Sequence, residues 1–266
     1  AKVDGLLVKF EPGMLREILK SAPAEFTQHA RNPENTVQIG GRNVVFSPSY
    51  GCPFVMDLDR GRRFGTIQDF ENFVKLAQSS PWFHHSGGTI CEPTDIPVNK
   101  RHLDMVYSHL RYSDRPFSGS VTAEERSEDS IDMARIVFGE DFVDQNCVIL
   151  GNVNVNSPLV WDGTMTKSLR AYARANQAAI VVPFILGGAM GPVTSAGAIA
   201  QSLAETMAGC ALTQLERKGA PVIFGNFLSS MNLRSGSPTF GTPEPAIGSM
   251  VIGQLCRRLN LPLRCS

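Results

Sequence analysis

The chain of 266 residues contains 42% apolar and 19% charged residues, and its 25 lysines and arginines balance its 25 aspartates and glutamates. This composition is typical of a folded globular protein, and the zero net charge argues against nucleic acid or a membrane surface as a partner. No window approaches the roughly 18 apolar residues of a membrane span and no secretory leader is evident, so we expect a cytoplasmic protein whose six cysteines are reduced.

The first 80 residues show no repeating pattern and predict an N-terminal cap of the α+β type. The predicted elements are a helix over 12–20, a hairpin of 37–39 and 44–46 around Gly40-Gly41, a charged turn over 57–63, and a helix from Thr66 to about Ala77. We expect this cap, residues 1–80, to pack on a second region, residues 81–266. The first residue is Ala and not Met, so we expect the natural chain to begin earlier.

Residues 81–266 repeat a short apolar run, a polar or glycine-rich stretch and a helical pattern, which is the sequence form of βα units. The predicted strands begin near Phe83, Pro116, Cys147, Ile180, Pro221 and Pro262. Strands at this spacing, each followed by a helix, predict a parallel sheet in an α/β fold. Two helix starts support the pattern, since Thr122 with Glu125 fits a capping box and Thr242 precedes Pro243.

The strand that begins near Cys147 favours a (β/α)8 TIM-type barrel over an open, doubly wound sheet. Its asparagines Asn152, Asn154 and Asn156 recur at every second residue and so share one face. An open sheet is covered by helices on both faces, whereas a barrel interior becomes polar toward the active-site mouth. A structural asparagine ladder bonded to neighbouring strands is the alternative. Because only about five to six βα units are present, we expect an incomplete barrel and a fragment of a longer protein.

The loops after the predicted strands hold the candidate sites, because chemistry in parallel barrels gathers there. His84 and His85 are adjacent and lack metal-ligand spacing, so we predict no tightly bound metal, and we treat His85 as a mouth residue or a buried core histidine. The glycine-rich run 187–192 lacks the spacing of a phosphate loop. Gln201 and Glu205 share a helix face that we expect to be solvated. No pattern typical of a catalytic triad or an acid–base pair is evident, so the catalytic residues stay unassigned.

The longest specific motif of the chain is Gly187-Gly188-Ala189-Met190-Gly191-Pro192-Val193-Thr194-Ser195-Ala196-Gly197, followed by Gln201, Glu205, Ala208-Gly209, Gln214-Leu215 and Gly219-Ala220-Pro221-Val222. The shorter motifs are Asp57-Leu58-Asp59, Gly61-Arg62-Arg63, Thr66, Ser157-Pro158-Leu159, Gly241-Thr242-Pro243-Glu244, Gln254-Leu255 and Leu261-Pro262. Together these motifs resemble the trimethylamine methyltransferase family, over nearly the whole chain.

The resemblance implies a (β/α)8 enzyme that moves a methyl group from trimethylamine or a betaine to the Co(I) of a corrinoid (cobalamin) carried by a separate protein. A small methylated amine and a cognate corrinoid protein are therefore the expected partners of an enzyme that we expect to be homo-oligomeric. Members that carry pyrrolysine have it just after the segment corresponding to 261–266, so both the pyrrolysine type and the quaternary-amine type stay open. A non-catalytic barrel that binds a corrinoid protein, and a barrel enzyme acting on a phosphorylated metabolite, are the alternatives.

A quaternary ammonium donates no hydrogen bond, so a site for it needs aromatic faces. Besides the rings assigned below, Phe117 and Tyr50 are candidates for contact with the ammonium. The carboxylate of a betaine favours an arginine as its partner. We therefore assign substrate binding to Trp161, Phe184, Phe227, Asn156, His85 and, for the carboxylate, Arg234. The loop that we expect to face the corrinoid contains Gly187, Gly188, Met190 and Gly191.

Overall fold

Residues 1–80 fold into three antiparallel hairpins and two helices in the structure, a computed structural model that describes residues 1–265 of the chain. The elements of this region are β1 (Lys2–Asp4), β2 (Leu7–Lys9), α1 (Met14–Leu19), β3 (Glu25–Gln28), a 3-10 turn (Pro33–Asn35), β4 (Val37–Gly40), β5 (Phe54–Asp57), β6 (Gly61–Phe64) and α2 (Ile67–Ser79). Strand β1 pairs with β2, β3 with β4, and β5 with β6. The mixed α and β content predicted for this region is therefore present.

Helix α2 begins where the sequence predicts, because its first turn is capped. The side chain of Thr66 accepts a hydrogen bond from the backbone of Asp69, and the Asp69 carboxylate accepts one from the Thr66 backbone at 2.9 Å. Arg63 donates to the same carboxylate at 2.7 Å and holds the pKa of Asp69 well below its usual range. The cap and the ion pair together fix the junction between β6 and α2.

The second region alternates strands and helices over residues 101–264. Its elements are α3 (Arg101–Tyr112), β7 (Phe117–Gly119), α4 (Glu124–Phe138), α5 (Glu140–Gln145), β8 (Ile149–Val155), α6 (Gly163–Arg174), β9 (Ala178–Pro183), β10 (Ile185–Gly187), α7 (Ser195–Glu216), β11 (Val222–Gly225), β12 (Leu228–Asn232), β13 (Ser237–Thr239), α8 (Pro243–Leu259) and β14 (Leu263–Arg264). No helix in residues 1–265 has the length and apolar character needed to cross a bilayer.

Five parallel strands form the central sheet, in the order β7, β8, β9, β11 and β14. Each strand therefore lies beside the next strand of the sheet in the sequence, and helical segments connect them. A smaller sheet of β10, β12 and β13 continues from the carboxyl ends of β9 and β11. The prediction of an α/β fold with a parallel sheet is confirmed.

Helices of the second region share one core with the central sheet, on a single face of that sheet. The larger core combines residues of helices α3, α4, α6, α7 and α8 with alternate strand residues such as Val153 and Val181. On the opposite face of the sheet, which we call the inner face, Leu150, Ile180 and Ile223 pack with Phe26 and Ile39 of the β3–β4 hairpin. This hairpin lies next to the start of β8, because His29 donates from its backbone to the carbonyl of Cys147 at 2.8 Å.

Three predictions about local structure are wrong. The segment from Phe83 forms no regular strand, although its backbone bonds β7 through Gly87 and Ser118. The run 37–39 lies in β4, which pairs with β3 over four residues, and 44–46 forms no strand. Helix α4 starts at Glu124 after Ala123 and has no side-chain cap, because the Thr122 hydroxyl instead accepts a hydrogen bond from Arg126.

Candidate functional site

The inner face of the sheet becomes polar toward the carboxyl end of β8. Side chains alternate along a strand, so Asn152 and Asn154 share the inner face with Leu150, while Val153 and Val155 belong to the helix-side core. The Oδ1 atom of Asn152 is buried and has no hydrogen-bond partner within residues 1–265. A buried amide oxygen without a partner is costly and is typical of a site that a ligand or an ordered water completes.

An aromatic cluster, formed by Phe184, Phe227 and Phe240, lies above this inner face, where two strands pass into the smaller sheet. Phe184 separates β9 from β10, and Phe227 lies between β11 and β12. The ring centroids of these two residues are 4.8 Å apart, and the ring of Phe240 meets Phe227 edge-on at 5.8 Å. Phe184 and Phe227 are half-buried and Phe240 is exposed, so part of the cluster is open to solvent.

Arg264 lies on the inner face at the edge of the sheet formed by β14. Its neighbour Leu263 packs in the helix-side core, so alternation directs Arg264 to the opposite face. Its guanidinium carbon lies 5.8 Å from the ring centroid of Tyr50, whose hydroxyl forms a 2.7 Å hydrogen bond with Ser118. Burial lowers the pKa of Arg264 and raises that of Tyr50. The inner face thus carries the Arg264 guanidinium beside the Tyr50 phenol at the β14 edge of the sheet.

Glu205 is buried and organises the loop after β8, so the expectation of a solvated face at Gln201 and Glu205 is wrong. Its carboxylate accepts hydrogen bonds from the Ser157 hydroxyl at 2.6 Å, the Leu159 backbone at 2.8 Å and the Gln201 side chain at 2.8 Å. Only 2% of Glu205 is exposed. The carboxylate holds Leu159 at φ 59°, a left-handed conformation that is unfavourable for leucine.

Trp161 and Asn156 lie in the segment between β8 and α6. The indole of Trp161 packs against Gly209 of α7 and contacts the helix-side core, and a Cβ at Gly209 would collide with it. Its Nε1 atom is buried without a partner among residues 1–265. The amide of Asn156 donates to Asp162 at 2.7 Å, and the same aspartate caps α6. Both residues therefore shape the loop between β8 and α6.

His85 is buried in the irregular segment before α3. Its Nδ1 accepts a hydrogen bond from the backbone of Gly87 at 2.9 Å, and its Nε2 has no partner among residues 1–265. Burial, with a smaller contribution from His109, lowers the pKa of His85 to about 3, and burial lowers that of His109 to about 4. Both imidazoles are neutral at pH 7. In the described part of the chain, no three His, Cys, Asp or Glu side chains cluster as metal ligands would.

The glycine loop after β10 is held by hydrogen bonds between its own backbone groups. The backbone N–H groups of Gly188, Ala189 and Met190 donate to the carbonyls of Gly191 and Leu186. The side chain of Gln201 donates to the Met190 carbonyl at 3.0 Å and ties the loop to α7. An anion would have to displace these internal bonds, which disfavours the loop as a phosphate site. Gly188 and Ala189 are exposed, so the loop presents small residues to solvent.

Arg234 lies in the turn between β12 and β13. The residue is exposed, and its backbone N–H donates to the side chain of Asn232 at 2.9 Å. It belongs to the tip of a hairpin, whereas Arg264 belongs to the inner face. The assignment of a substrate carboxylate to Arg234 stays a prediction.

A cavity of about 290 Å³ lies between α3 and the carboxyl end of β7. The charged side chains around it are largely paired within the protein. Arg101 pairs with Glu92 at 3.2 Å, and His102 lies 2.7 Å from Asp129. The cavity is therefore less suited to a charged ligand than the inner face of the sheet.

Comparison with known proteins is decisive at the level of the family. The whole chain, residues 1–266, matches the family model described as trimethylamine methyltransferase (MTTB). The chain belongs to the trimethylamine methyltransferase family. Family membership confirms the resemblance carried by the motifs of the sequence.

Relatives of this trimethylamine methyltransferase family member are named for several methylated amines. The chain is 46% identical to a glycine betaine methyltransferase of Desulfitobacterium hafniense over 99% of its own length and 55% of the relative. It is 26% identical to a proline betaine:corrinoid methyltransferase of Eubacterium limosum, over 99% of this chain and 56% of that protein. It is 23% identical to a trimethylamine methyltransferase MttB of Desulfitobacterium hafniense, over 96% of this chain and 52% of that protein. The chain thus spans about half the length of these relatives.

Two features of this family member were missed by reasoning from sequence. Arg264 has a sequence signal, because Leu263 and Arg264 alternate in the predicted last strand, but alternation alone does not say which residue faces inward. The burial of Glu205 has no local signal beyond its i, i+4 spacing from Gln201, because its other two hydrogen-bond partners, Ser157 and Leu159, lie 48 and 46 residues earlier in the chain. The sequence assigned Phe184 and Phe227 to the same substrate site but did not predict that their rings contact each other.

Proposed function

We propose that the protein containing this chain transfers a methyl group from a betaine-type quaternary amine to the cobalt of a corrinoid held by a separate protein. The observation that carries the proposal is the pair of half-buried rings, Phe184 and Phe227, above an inner face with a buried, unpartnered amide oxygen. Similarity over nearly the whole chain to a glycine betaine methyltransferase supports the same substrate class.

We propose that the sheet is the wall of a (β/α)8 barrel, with residues 81–266 in the barrel and residues 1–80 as its cap. Neighbouring strands follow one another in the sequence, and helices α3, α4, α6, α7 and α8 pack in one core on a single face of the sheet, as in a barrel. The β3–β4 hairpin packs against the inner face through Phe26 and Ile39. In this arrangement the aromatic cluster lies at the carboxyl ends of the strands, where such barrels hold substrate.

The aromatic cluster suits the chemistry of a quaternary ammonium. Such a group has no N–H to donate, and ring faces attract it by about 0.5–2 kcal/mol each. When a methyl group is removed from it, the electron pair of the breaking C–N bond stays on nitrogen and the amine leaves neutral. The protein therefore needs no proton donor for this substrate, and its main task is to hold one methyl carbon toward the rim.

The rim loop at Gly188 and Ala189 fits a large, flat partner group. Both residues are exposed and small, so the backbone permits close approach. When bound, the corrinoid supplies Co(I), a strong nucleophile toward the methyl carbon. Gln201 and Glu205 brace this rim through Met190 and Leu159. Homo-oligomerisation and a cytoplasmic location stay predictions.

The test offers glycine betaine, proline betaine and trimethylamine to the full-length protein together with its reduced corrinoid protein. The visible spectrum of the corrinoid and the demethylated amine are both measured. We expect methyl transfer from at least one betaine. Binding of the corrinoid protein with no transfer from any amine would favour a non-catalytic docking barrel, and binding of a phosphorylated metabolite instead would favour the other alternative.

A further inference from the structure

The side chain of Arg264 has no acidic partner among residues 1–265, although it is half-buried. Every ion pair of the described chain involves other residues, and the titratable groups near enough to affect the pKa of Arg264 are Tyr50 and Cys265. Tyr50 lies beside it at 5.8 Å from the ring centroid to the guanidinium carbon. A partly buried cation without a counter-charge is unfavourable, and an anion beside it would remove that cost.

The register of the strands puts Arg264 close to the aromatic cluster. Arg264 pairs directly with Gly225 on β11, and Phe227 follows Gly225 by two residues in the chain. Two residues of extended chain span about 6.6 Å, which is the size of a small zwitterion. Gly225 adds no side chain between them, and a Cβ there would lie 2.5 Å from both the Val181 carbonyl and the Val182 side chain.

We propose that Arg264 binds the carboxylate of a zwitterionic substrate whose quaternary ammonium lies against Phe184 and Phe227. This inference rests on the proposed function. Arg264 would favour a betaine, which carries both charges, over an amine that lacks a carboxylate. A guanidinium offers two parallel N–H groups to a carboxylate, which also fixes the orientation of the methyl groups. Arg264 takes the role that the sequence assigned to Arg234.

The test compares Arg264→Gln and Arg264→Lys with the wild type in the full-length protein. Calorimetry measures binding of glycine betaine and of tetramethylammonium, which lacks the carboxylate, without the corrinoid protein present. We expect Arg264→Gln to weaken glycine betaine binding at least tenfold and to leave tetramethylammonium binding within twofold of the wild type. Arg264→Lys keeps the charge and is expected to recover part of the loss.

Two further variants make the result specific. Arg258→Gln removes an exposed arginine of α8 and is expected to bind both ligands like the wild type. Arg234→Gln tests the rival arginine, and a larger loss there than in Arg264→Gln would overturn the proposal. An equal loss of both ligands in Arg264→Gln would also overturn it, because it would indicate a structural role.

Failure of the proposed function gives a different result. In that case the wild type transfers no methyl group to the reduced corrinoid protein from any amine, while the binding comparison still reports on Arg264. Glycine betaine that binds the wild type and Arg264→Gln equally rejects the role of Arg264 and leaves methyl transfer by the wild type intact.

Discussion

The polar side chains considered for the site divide into those that already have partners and those that do not. Asn156 and Glu205 are engaged in hydrogen bonds that hold the loop after β8. The buried oxygen of Asn152, the Nε2 atom of His85 and the guanidinium of Arg264 have no hydrogen-bond or ionic partner within residues 1–265. Ligand recognition is most readily assigned to the second group, because those atoms gain most from a partner.

Phe227→Leu tests the aromatic cluster at the scale of one ring. Leucine keeps an apolar side chain but removes the ring face, so we expect the KM for a quaternary amine to rise about 2- to 30-fold, the equivalent of 0.5–2 kcal/mol. Steady-state kinetics of the full-length protein measure the change. Phe227→Tyr keeps the face and is expected to stay close to the wild type, whereas equal losses in both variants would contradict the cation–π role.

The two buried histidines predict how stability depends on pH. The folded-state pKa of His85 is about 3 and that of His109 about 4, whereas an unfolded histidine titrates near 6.5. As the pH falls below 6.5, these histidines become protonated in the unfolded state but stay neutral in the folded state. The free energy of unfolding should therefore fall by about 1.4 kcal/mol per pH unit for each histidine.

Urea unfolding of the full-length protein between pH 7.5 and 5 measures this slope. His85→Asn removes one of the two groups. The slope of the free energy of unfolding against pH below 6.5 is expected to fall by about 1.4 kcal/mol per pH unit, the equivalent of one proton, whatever the effect on absolute stability. A slope unchanged in the variant would show that His85 is protonated in the folded state.

At the scale of elements, α7 and the loop after β8 are joined by one carboxylate. Glu205→Ala leaves the Ser157 hydroxyl and the Leu159 N–H without their acceptor, so we expect the free energy of unfolding to fall by about 1–3 kcal/mol. Glu205→Gln keeps one acceptor oxygen and should lose less. Glu128→Ala, at an exposed position of α4, is the matched control. Denaturant unfolding measures the change. Equal losses of unfolding free energy in Glu205→Ala and Glu128→Ala would contradict the role of Glu205 in holding the loop.

Elements with strong local signals were predictable from the sequence, and those set by distant partners were not. Helix α2 follows from its capping box, and β8 and β9 follow from their apolar runs. The pairing of β4 with β3 and the burial of Glu205 depend on segments far away in the chain. The segment around His85 reads as a strand but runs beside β7 without forming one, because only a few of its backbone groups bond that strand.

At the scale of the whole molecule, the order of the strands brings the candidate site together. Residues 50, 184, 227 and 264 are far apart in sequence, yet the parallel sheet collects three of them at its carboxyl end and the N-terminal region adds Tyr50. The sequence predicted the rings near strand ends because strand ends are local features. The arginine that we propose, Arg264, could not be chosen over Arg234 from the sequence, because that choice depends on which strand face each residue occupies.

The most direct measurement is a crystal structure of the full-length protein with glycine betaine bound. We expect the ammonium within about 6 Å of the ring centroids of Phe184 and Phe227, and the carboxylate within about 3.2 Å of the Arg264 guanidinium. Glycine betaine bound elsewhere, for instance in the cavity between α3 and β7, with the aromatic cluster and Arg264 free of ligand, would contradict the inner face as the substrate site.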